Sequence, residues 1–109
     1  MDAARLSAVA PNEVVHQSTR LRILATLHAL PRGGMLEFVE LKGLLEATDG
    51  NLGTHLATLE KAGYVLSEKD FVGRKPRTRV KLTPEGRRAF DQHVAYLREV
   101  LASAAPATR

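Results

Sequence analysis

The segment from residue 48 to residue 81 limits the fold of this chain more than any other. In its first half, Leu52, Leu56 and Leu59 recur at intervals of four and three residues. This spacing places them on one side of a helix and predicts an apolar face that packs on a core. Gly63 follows where a helix of this length would stop, since glycine accepts the left-handed backbone found beyond helix ends.

The opposite face of this helix carries small or polar side chains. Such side chains can hydrogen-bond to base edges without the bulk that would keep a helix out of a DNA major groove. The same pattern also fits any surface helix, so it does not establish DNA binding by itself. Glycines in this helix would allow close approach to a DNA backbone. The predicted DNA-binding residues of the helix are Gly50, Asn51, Gly53, Thr54, His55 and Thr58.

A basic hairpin is predicted directly after the helix. Residues 64–69 and 78–82 have strand-like composition, with a turn predicted from Phe71 to Arg77. Residues 69–81 hold six basic side chains and one carboxylate, a local charge of +5, whereas the whole chain carries only +4. This charge suits phosphate contact, although it could also protect an exposed strand edge. The predicted wing contacts to DNA are Arg74, Lys75, Arg77 and Arg79.

A helix followed by a basic two-stranded hairpin is the layout of a winged helix-turn-helix. The predicted fold class is therefore α+β, mostly α, with a long C-terminal dimerisation helix. We expect a tail or short helix at residues 1–11, the DNA-binding domain at 12–82 and the dimerisation helix at 83–105. Near the start, Ser18 is a plausible N-cap, and Arg20 is expected to pair with a carboxylate or reach a phosphate. Both are weaker candidates for phosphate contact than the basic residues of the wing.

The C-terminal helix is predicted from a strong start signal and a regular apolar pattern. Thr83 and Pro84 suit the N-cap and the first helical position, while Gly86 is a weak point that costs about 1 kcal/mol relative to alanine. Apolar residues then alternate four and three apart, as in a coiled-coil seam. The seam could fold back on its own domain, but its length favours a homodimer. The predicted dimer seam is Phe90, Val94, Leu97 and Leu101.

Three stretches resemble those of one group of regulators. Residues 15–24 resemble the opening of small winged-helix regulators, residues 49–65 their recognition helix, and residues 82–87 their wing-to-helix junction. The resemblance is to the MarR-like group, most closely its short single-domain branch, and spans roughly residues 14–101. It implies a transcription regulator that binds double-stranded DNA as a homodimer, with two recognition helices in successive major grooves. It identifies neither an operator nor an inducer.

Other kinds of site find less support. Asp91 and His93 match the start of a metal-binding pattern in the related ArsR-type sensors, but residues 103–105, where further ligands are needed, are serine and alanine. We expect no metal and no cofactor. The chain lacks cysteine and phosphate-binding glycine loops, and no nucleophile with a nearby base is visible, so we expect no enzyme activity.

Location and partners are expectations of the same kind. No segment is apolar enough for a membrane span, and the N-terminus lacks a signal-peptide pattern, so a cytoplasmic location is expected. The alternative function is a winged-helix module that docks an acidic partner protein. A small effector between the terminal helices would be compatible with DNA binding, but the sequence does not name it.

Overall fold

The computed structural model describes residues 11–104. Its fold is the predicted winged helix-turn-helix, in which α3 and α4 form the helix pair and the β2–β3 hairpin forms the wing. The tail or short helix predicted at residues 1–11 lies, apart from Pro11, outside the described residues, as does residue 105 of the predicted dimerisation helix. The elements are α1 (Glu13–His16), α2 (Ser18–His28), β1 (Met35–Glu37), α3 (Phe38–Leu45), α4 (Asp49–Lys61), β2 (Val65–Val72), β3 (Lys75–Leu82) and α5 (Pro84–Ala104).

The core forms where the apolar face of α4 meets α2 and α3. Leu52 and Leu59 of α4 are fully buried, together with Ile23 and Leu24 of α2 and Leu41 of α3. Burying one such side chain contributes about 1.5–3 kcal/mol relative to leaving it exposed. The predicted apolar face of α4 is thus confirmed, and its burial leaves the polar face at the surface.

Side chains cap the first turns of three helices, and one of these caps differs from the sequence prediction. Asn12 caps α1 and Thr48 caps α4, each by accepting hydrogen bonds from the first turn. The predicted cap at Ser18 was wrong, because Gln17 caps α2 instead. Its backbone is extended (ψ 132°) and its side-chain oxygen accepts a hydrogen bond from the Arg20 amide at 2.8 Å.

The sheet is antiparallel, with strand order β1-β3-β2. The short strand β1 lies at one edge and pairs with β3. Its register runs from Met35 opposite Lys81 to Glu37 opposite Arg79, so β1 covers only the end of β3. The rest of the hairpin therefore projects beyond the sheet as a two-stranded ribbon.

The hairpin is longer than predicted. Residues assigned from sequence to a turn, from Phe71 to Arg77, belong mostly to the two strands, and only Gly73 and Arg74 connect them. Gly73 provides the positive φ (64°) that this tight connection requires. Pro76 is tolerated within β3 because β1 does not reach it, so its missing amide proton lies on a free edge of the strand.

Helix α5 has a packed first half and an open second half. Ala89 and His93 are buried, and the Phe90 ring lies 4.8 Å from that of His28 in α2, centroid to centroid. Farther along, the side chain of Leu101 is 71% exposed and that of Val100 42%. Among the described helices, none is long and apolar enough to cross a membrane.

Gly86 of α5 packs against the backbone that follows α4, so glycine is needed there for more than its effect on helix stability. A Cβ atom there would overlap the backbone carbonyl of Tyr64. Thr83 secures the same junction, because its hydroxyl donates to the Gly63 carbonyl at 2.6 Å and accepts from the Gly86 amide at 2.9 Å. Glycine is therefore required by close approach of two backbones.

Replacing Gly86 by alanine should destabilise the fold, because no rotamer change can move a methyl group away from the Tyr64 backbone. We expect a loss of about 1–3 kcal/mol in the free energy of unfolding, measured by urea denaturation. Gly43 in α3 is the matched control, since a Cβ atom there would have no neighbour within 4 Å. Gly43→Ala should gain up to about 1 kcal/mol. Equal effects in both variants would contradict this interpretation.

Candidate nucleic-acid interface

The outward face of α4 presents polar groups from the start of the helix. Gly50, Asn51 and Thr54 are exposed, whereas Gly53 and Thr58 are half-buried. The Thr58 hydroxyl donates to the Thr54 carbonyl at 3.2 Å, which holds it against the helix. The backbone amide of Asn51 donates to Thr48 Oγ1 at 3.1 Å, but its side chain makes no hydrogen bond within residues 11–104 and stays available to a ligand.

His55 lies at the side of this face rather than at its centre. Its ring is half-buried, and its Nδ1 lies 3.3 Å from Nη1 of Arg20. Because a guanidinium can only donate, Nδ1 must accept here, so the neutral ring carries its proton on Nε2. That second nitrogen can then donate to an acceptor.

Arg20 connects three helices through hydrogen bonds. Its Nε donates to the Val14 carbonyl of α1 at 2.6 Å, while its Nη1 reaches His55 of α4. The predicted pairing with a carboxylate is not found, since no carboxylate lies within 4 Å of Arg20 in the described part of the chain. Ser18, the other weak phosphate candidate, is exposed at the start of α2.

Ion pairs cover one face of the wing. Arg77 binds Asp70 through two hydrogen bonds, from Nε at 2.9 Å and from Nη2 at 2.6 Å. Arg79 lies 3.3 Å from Asp70 and 3.8 Å from Glu68, and Lys81 lies 3.8 Å from Glu68. The hydrogen bond from Arg77 lowers the pKa of the Asp70 carboxyl. The register explains the grouping, because Asp70 opposes Arg77 and Glu68 opposes Arg79.

The wing cations therefore fall into two groups. Arg77 and Arg79 are half-buried and held by carboxylates of the hairpin, whereas Arg74 and Lys75 are exposed at its tip. No carboxylate within residues 11–104 lies within 4 Å of either tip residue. The sequence count of +5 could not show this division, because cross-strand partners depend on the register.

A groove of about 530 Å³ separates α4 from the wing. Gly53 and Ala57 of α4 line one wall, and Ser67, Lys69 and Thr78 of the wing line the other. Lys69 was not among the predicted contacts, although it is exposed and faces the same space as α4. Strand alternation could have found it, since Lys69 lies on the opposite face from Glu68 and Asp70.

Helix α4, the adjoining groove and the cationic wing tip have the arrangement of a known family. The pattern of the winged helix DNA-binding domain matches residues 19–101. The chain belongs to this family. An uncharacterized protein of Methanocaldococcus jannaschii is 37% identical over 82 residues, covering 75% of this chain and 86% of the relative.

Solved structures give the same assignment. A transcriptional regulator homologue from Pyrococcus horikoshii superposes with a TM-score of 0.80 at 27% identity, covering 94% of this chain and 99% of the other. A MarR-family transcriptional regulator from Silicibacter pomeroyi superposes with a TM-score of 0.60 at 26% identity, covering 86% and 63%. The chain is thus a MarR-like winged-helix protein, as its sequence suggested.

The histidines of this winged-helix chain do not converge on one point. Asp91 and His93 are two residues apart on α5 and therefore point in different directions. Asp91 bonds His28 of α2 at 2.8 Å, while His93 lies 3.2 Å from the ring nitrogen of His16 in α1. No group of three or more metal-binding side chains occurs in the part of the chain that the structure describes.

His93 should make stability depend on pH, because burial and the nearby His16 lower its pKa from the ordinary value of 6.5. The unfolded chain then binds a proton more readily than the folded one. Above about pH 6.5, protonation of His93 does not reduce the free energy of unfolding. As the pH drops from there toward the lowered pKa, the free energy of unfolding falls by at most about 1.4 kcal/mol per pH unit.

Urea denaturation between pH 8 and pH 5 measures this dependence. His93→Gln should show a shallower loss of stability on acidification than the unchanged protein. His55→Gln is the control, since His55 is a half-buried histidine whose hydrogen-bond partner is Arg20 rather than another histidine. Identical pH profiles for the unchanged protein and His93→Gln would remove His93 as the source.

Proposed function

We propose that this protein is a homodimeric transcription regulator that binds specific double-stranded DNA. Helix α4 enters the major groove, and the wing contacts phosphates or the adjacent minor groove. One observation carries the proposal: α4, whose outward face is polar and exposed, lies across a groove from the wing, and the cations at the wing tip have no carboxylate partner within residues 11–104. Membership of a DNA-binding family supports it.

Base recognition is assigned to the first turns of α4. Asn51 is exposed and can bond both the N6 amine and N7 of an adenine, which would contribute about 1–3 kcal/mol of discrimination. Thr54 and Thr58 follow on the same side of α4. We assign His55 to the edge of the DNA major groove, where its Nε2 proton could be donated to an acceptor. Gly50 and Gly53 permit close approach, because no side chain stands between the helix and the DNA backbone.

Phosphate contacts are assigned first to the wing tip. Arg74 and Lys75 need not break an ion pair before they bind a phosphate, whereas Arg77 and Arg79 must share their charge with Asp70 and Glu68. We therefore assign Arg77 and Arg79 mainly to stiffening the wing. Ser18 stays a phosphate candidate, and Arg20 already holds Val14 and His55.

Dimerisation is assigned to the outer half of α5. Phe90, the first residue of the predicted seam, packs on its own core, while Val94 and Leu97 are only half-buried and Leu101 is exposed. The seam thus starts inside one domain and continues along an apolar surface that a second α5 could cover. A small effector held between the terminal helices stays a prediction, since the partner subunit would complete such a site.

Removing tip cations should weaken binding to all duplexes. A duplex selected from a random pool is titrated at several salt concentrations. For Arg74→Ala and Lys75→Ala, the slope of log K against log salt should shrink by about 0.9 for each phosphate that the variant no longer neutralises. Arg77→Ala is the matched control and should change the slope less, because Arg77 is paired with Asp70.

The outcomes separate the competing functions. Equal slope changes in the tip variants and in Arg77→Ala would contradict the division of the wing cations. If the unchanged protein bound no duplex even at low salt, DNA binding would be refuted. The alternative, a module that docks an acidic protein surface, would then be favoured.

A charge in the outer seam should separate the subunits. Leu101→Asp places a carboxylate on an exposed position of α5, so each domain should still fold while the dimer dissociates. Sedimentation velocity measures the change in mass. Leu44→Asp in α3 is the control, because Leu44 is also exposed (61%) but lies outside α5. An intact dimer in Leu101→Asp would place the interface elsewhere.

A further inference from the structure

An apolar pair lies at the far end of the wing, where the core cannot cover it. The side chain of Phe71 is 70% exposed and that of Val72 56%. Both precede the tight connection at Gly73, and β1 does not extend this far along the ribbon. An exposed aromatic residue at a projecting tip contributes little to folding, so its ring is available for contact with another molecule.

The register places Phe71 on the face of the wing that looks toward α4. Phe71 opposes Pro76 and alternates along β2 with Lys69 and Ser67. Lys69 and Ser67 line the groove between the wing and α4. Phe71 therefore lies on the same strand face as this wall of the groove, two residues farther toward the tip of the wing.

The charges around this ring favour an anionic partner. On this face Lys69 is exposed, and the exposed Arg74 lies in the connection that follows; neither has a carboxylate within 4 Å in the described chain, whereas Lys75 opposes Val72 and lies on the other face. The carboxylates of the hairpin, Glu68 and Asp70, lie on the other face and are held there by ion pairs. A second copy of this tip would bring like charges together, whereas duplex DNA offers phosphates on both sides of a minor groove with apolar sugar walls.

The wing is stiff enough to hold the ring in place. The bidentate Arg77–Asp70 pair is the cross-strand pair directly before Phe71–Pro76. Pro76 also restricts the backbone opposite the ring. An apolar side chain that is positioned in this way can press between base pairs without losing much conformational freedom on binding.

We propose that Phe71 is an apolar wedge that enters the minor groove beside the base-reading helix, partly unstacks one base step and bends the duplex. The proposal rests on the proposed function, since it needs DNA held by α4 and the wing tip. Flexible pyrimidine–purine steps, such as TA, should be favoured where the wing touches, because they unstack most easily.

The test is a selected duplex with a fluorescent donor and acceptor at its two ends. Binding of the unchanged protein should bring the ends closer and raise energy transfer. Phe71→Ala should return energy transfer close to that of the free duplex and weaken binding roughly tenfold, the scale of one aromatic contact with a base. Its salt slope should stay unchanged, because no charge is removed.

Val72→Ala is the matched control. Val72 is the next residue of the same strand and is also exposed, but it lies on the opposite face of the wing. Its variant should keep the bend and keep affinity within about twofold. Both replaced side chains are mostly exposed, so the urea midpoints of the two variants should match that of the unchanged protein.

Several results would overturn the proposal. A bend that survives in Phe71→Ala, or is lost equally in Val72→Ala, would exclude a specific wedge. A duplex that is bound by the unchanged protein without bending would remove the wedge but leave the proposed function intact. Failure to bind any duplex would remove both. A change of sedimentation coefficient in Phe71→Ala alone would make the tip a contact between copies of this chain.

Discussion

Burial of one face of α4 is the constraint on which the rest of the structure depends. Leu52 and Leu59 are fully enclosed, so the helix cannot rotate without exposing them. Their burial determines which side chains point outward, and the Thr48 cap determines where the first outward turn begins. The orientation of Asn51 is thus a consequence of core packing, not of any contact that Asn51 itself makes.

The wing illustrates how a hairpin can be both charged and ordered. Opposed acidic and basic side chains would contribute little if they were isolated at the surface, but here Asp70 is shared by Arg77 and Arg79. The two carboxylates, Glu68 and Asp70, offset part of the positive charge in the middle of the ribbon, whereas Arg74 and Lys75 at the tip have no carboxylate partner in the described residues. The register of the backbone ladder places these side chains opposite one another, so the charge pattern follows from the strand pairing.

Contacts between Tyr64 and Gly86 connect the end of α4 to α5, the helix assigned to dimerisation. Thr83 donates its amide proton to the Tyr64 carbonyl at 3.1 Å, and the start of α5 then passes close to the same backbone. Asn12 adds a hydrogen bond from its side-chain amide to the Tyr64 hydroxyl at 3.0 Å. A displacement of α5 would therefore be transmitted to the end of α4 through backbone contacts, which deform less readily than side chains.

Local patterns in the sequence were sufficient for the elements and their order. Leucines at helical spacing and the start of α5 at Pro84 act within one or two turns, so they can be recognised without a fold. Strand alternation predicted the hairpin but not its length. Pro76 can belong to β3 only because β1 ends before reaching it, and that depends on the pairing of distant strands. The error at Ser18 was also local, since two neighbouring residues competed for one cap.

The sequence by itself determined a polar helix face beside a basic hairpin, because periodicity and charge are properties of consecutive residues. Only the tertiary structure decided which basic residues of the wing are paired, since the partner of Arg77 is set by strand register. It also decided that Gly86 is required by a neighbouring backbone and that His93 faces His16 rather than Asp91. These relations join residues that are distant in the chain, and they exist only once the core has brought the elements together.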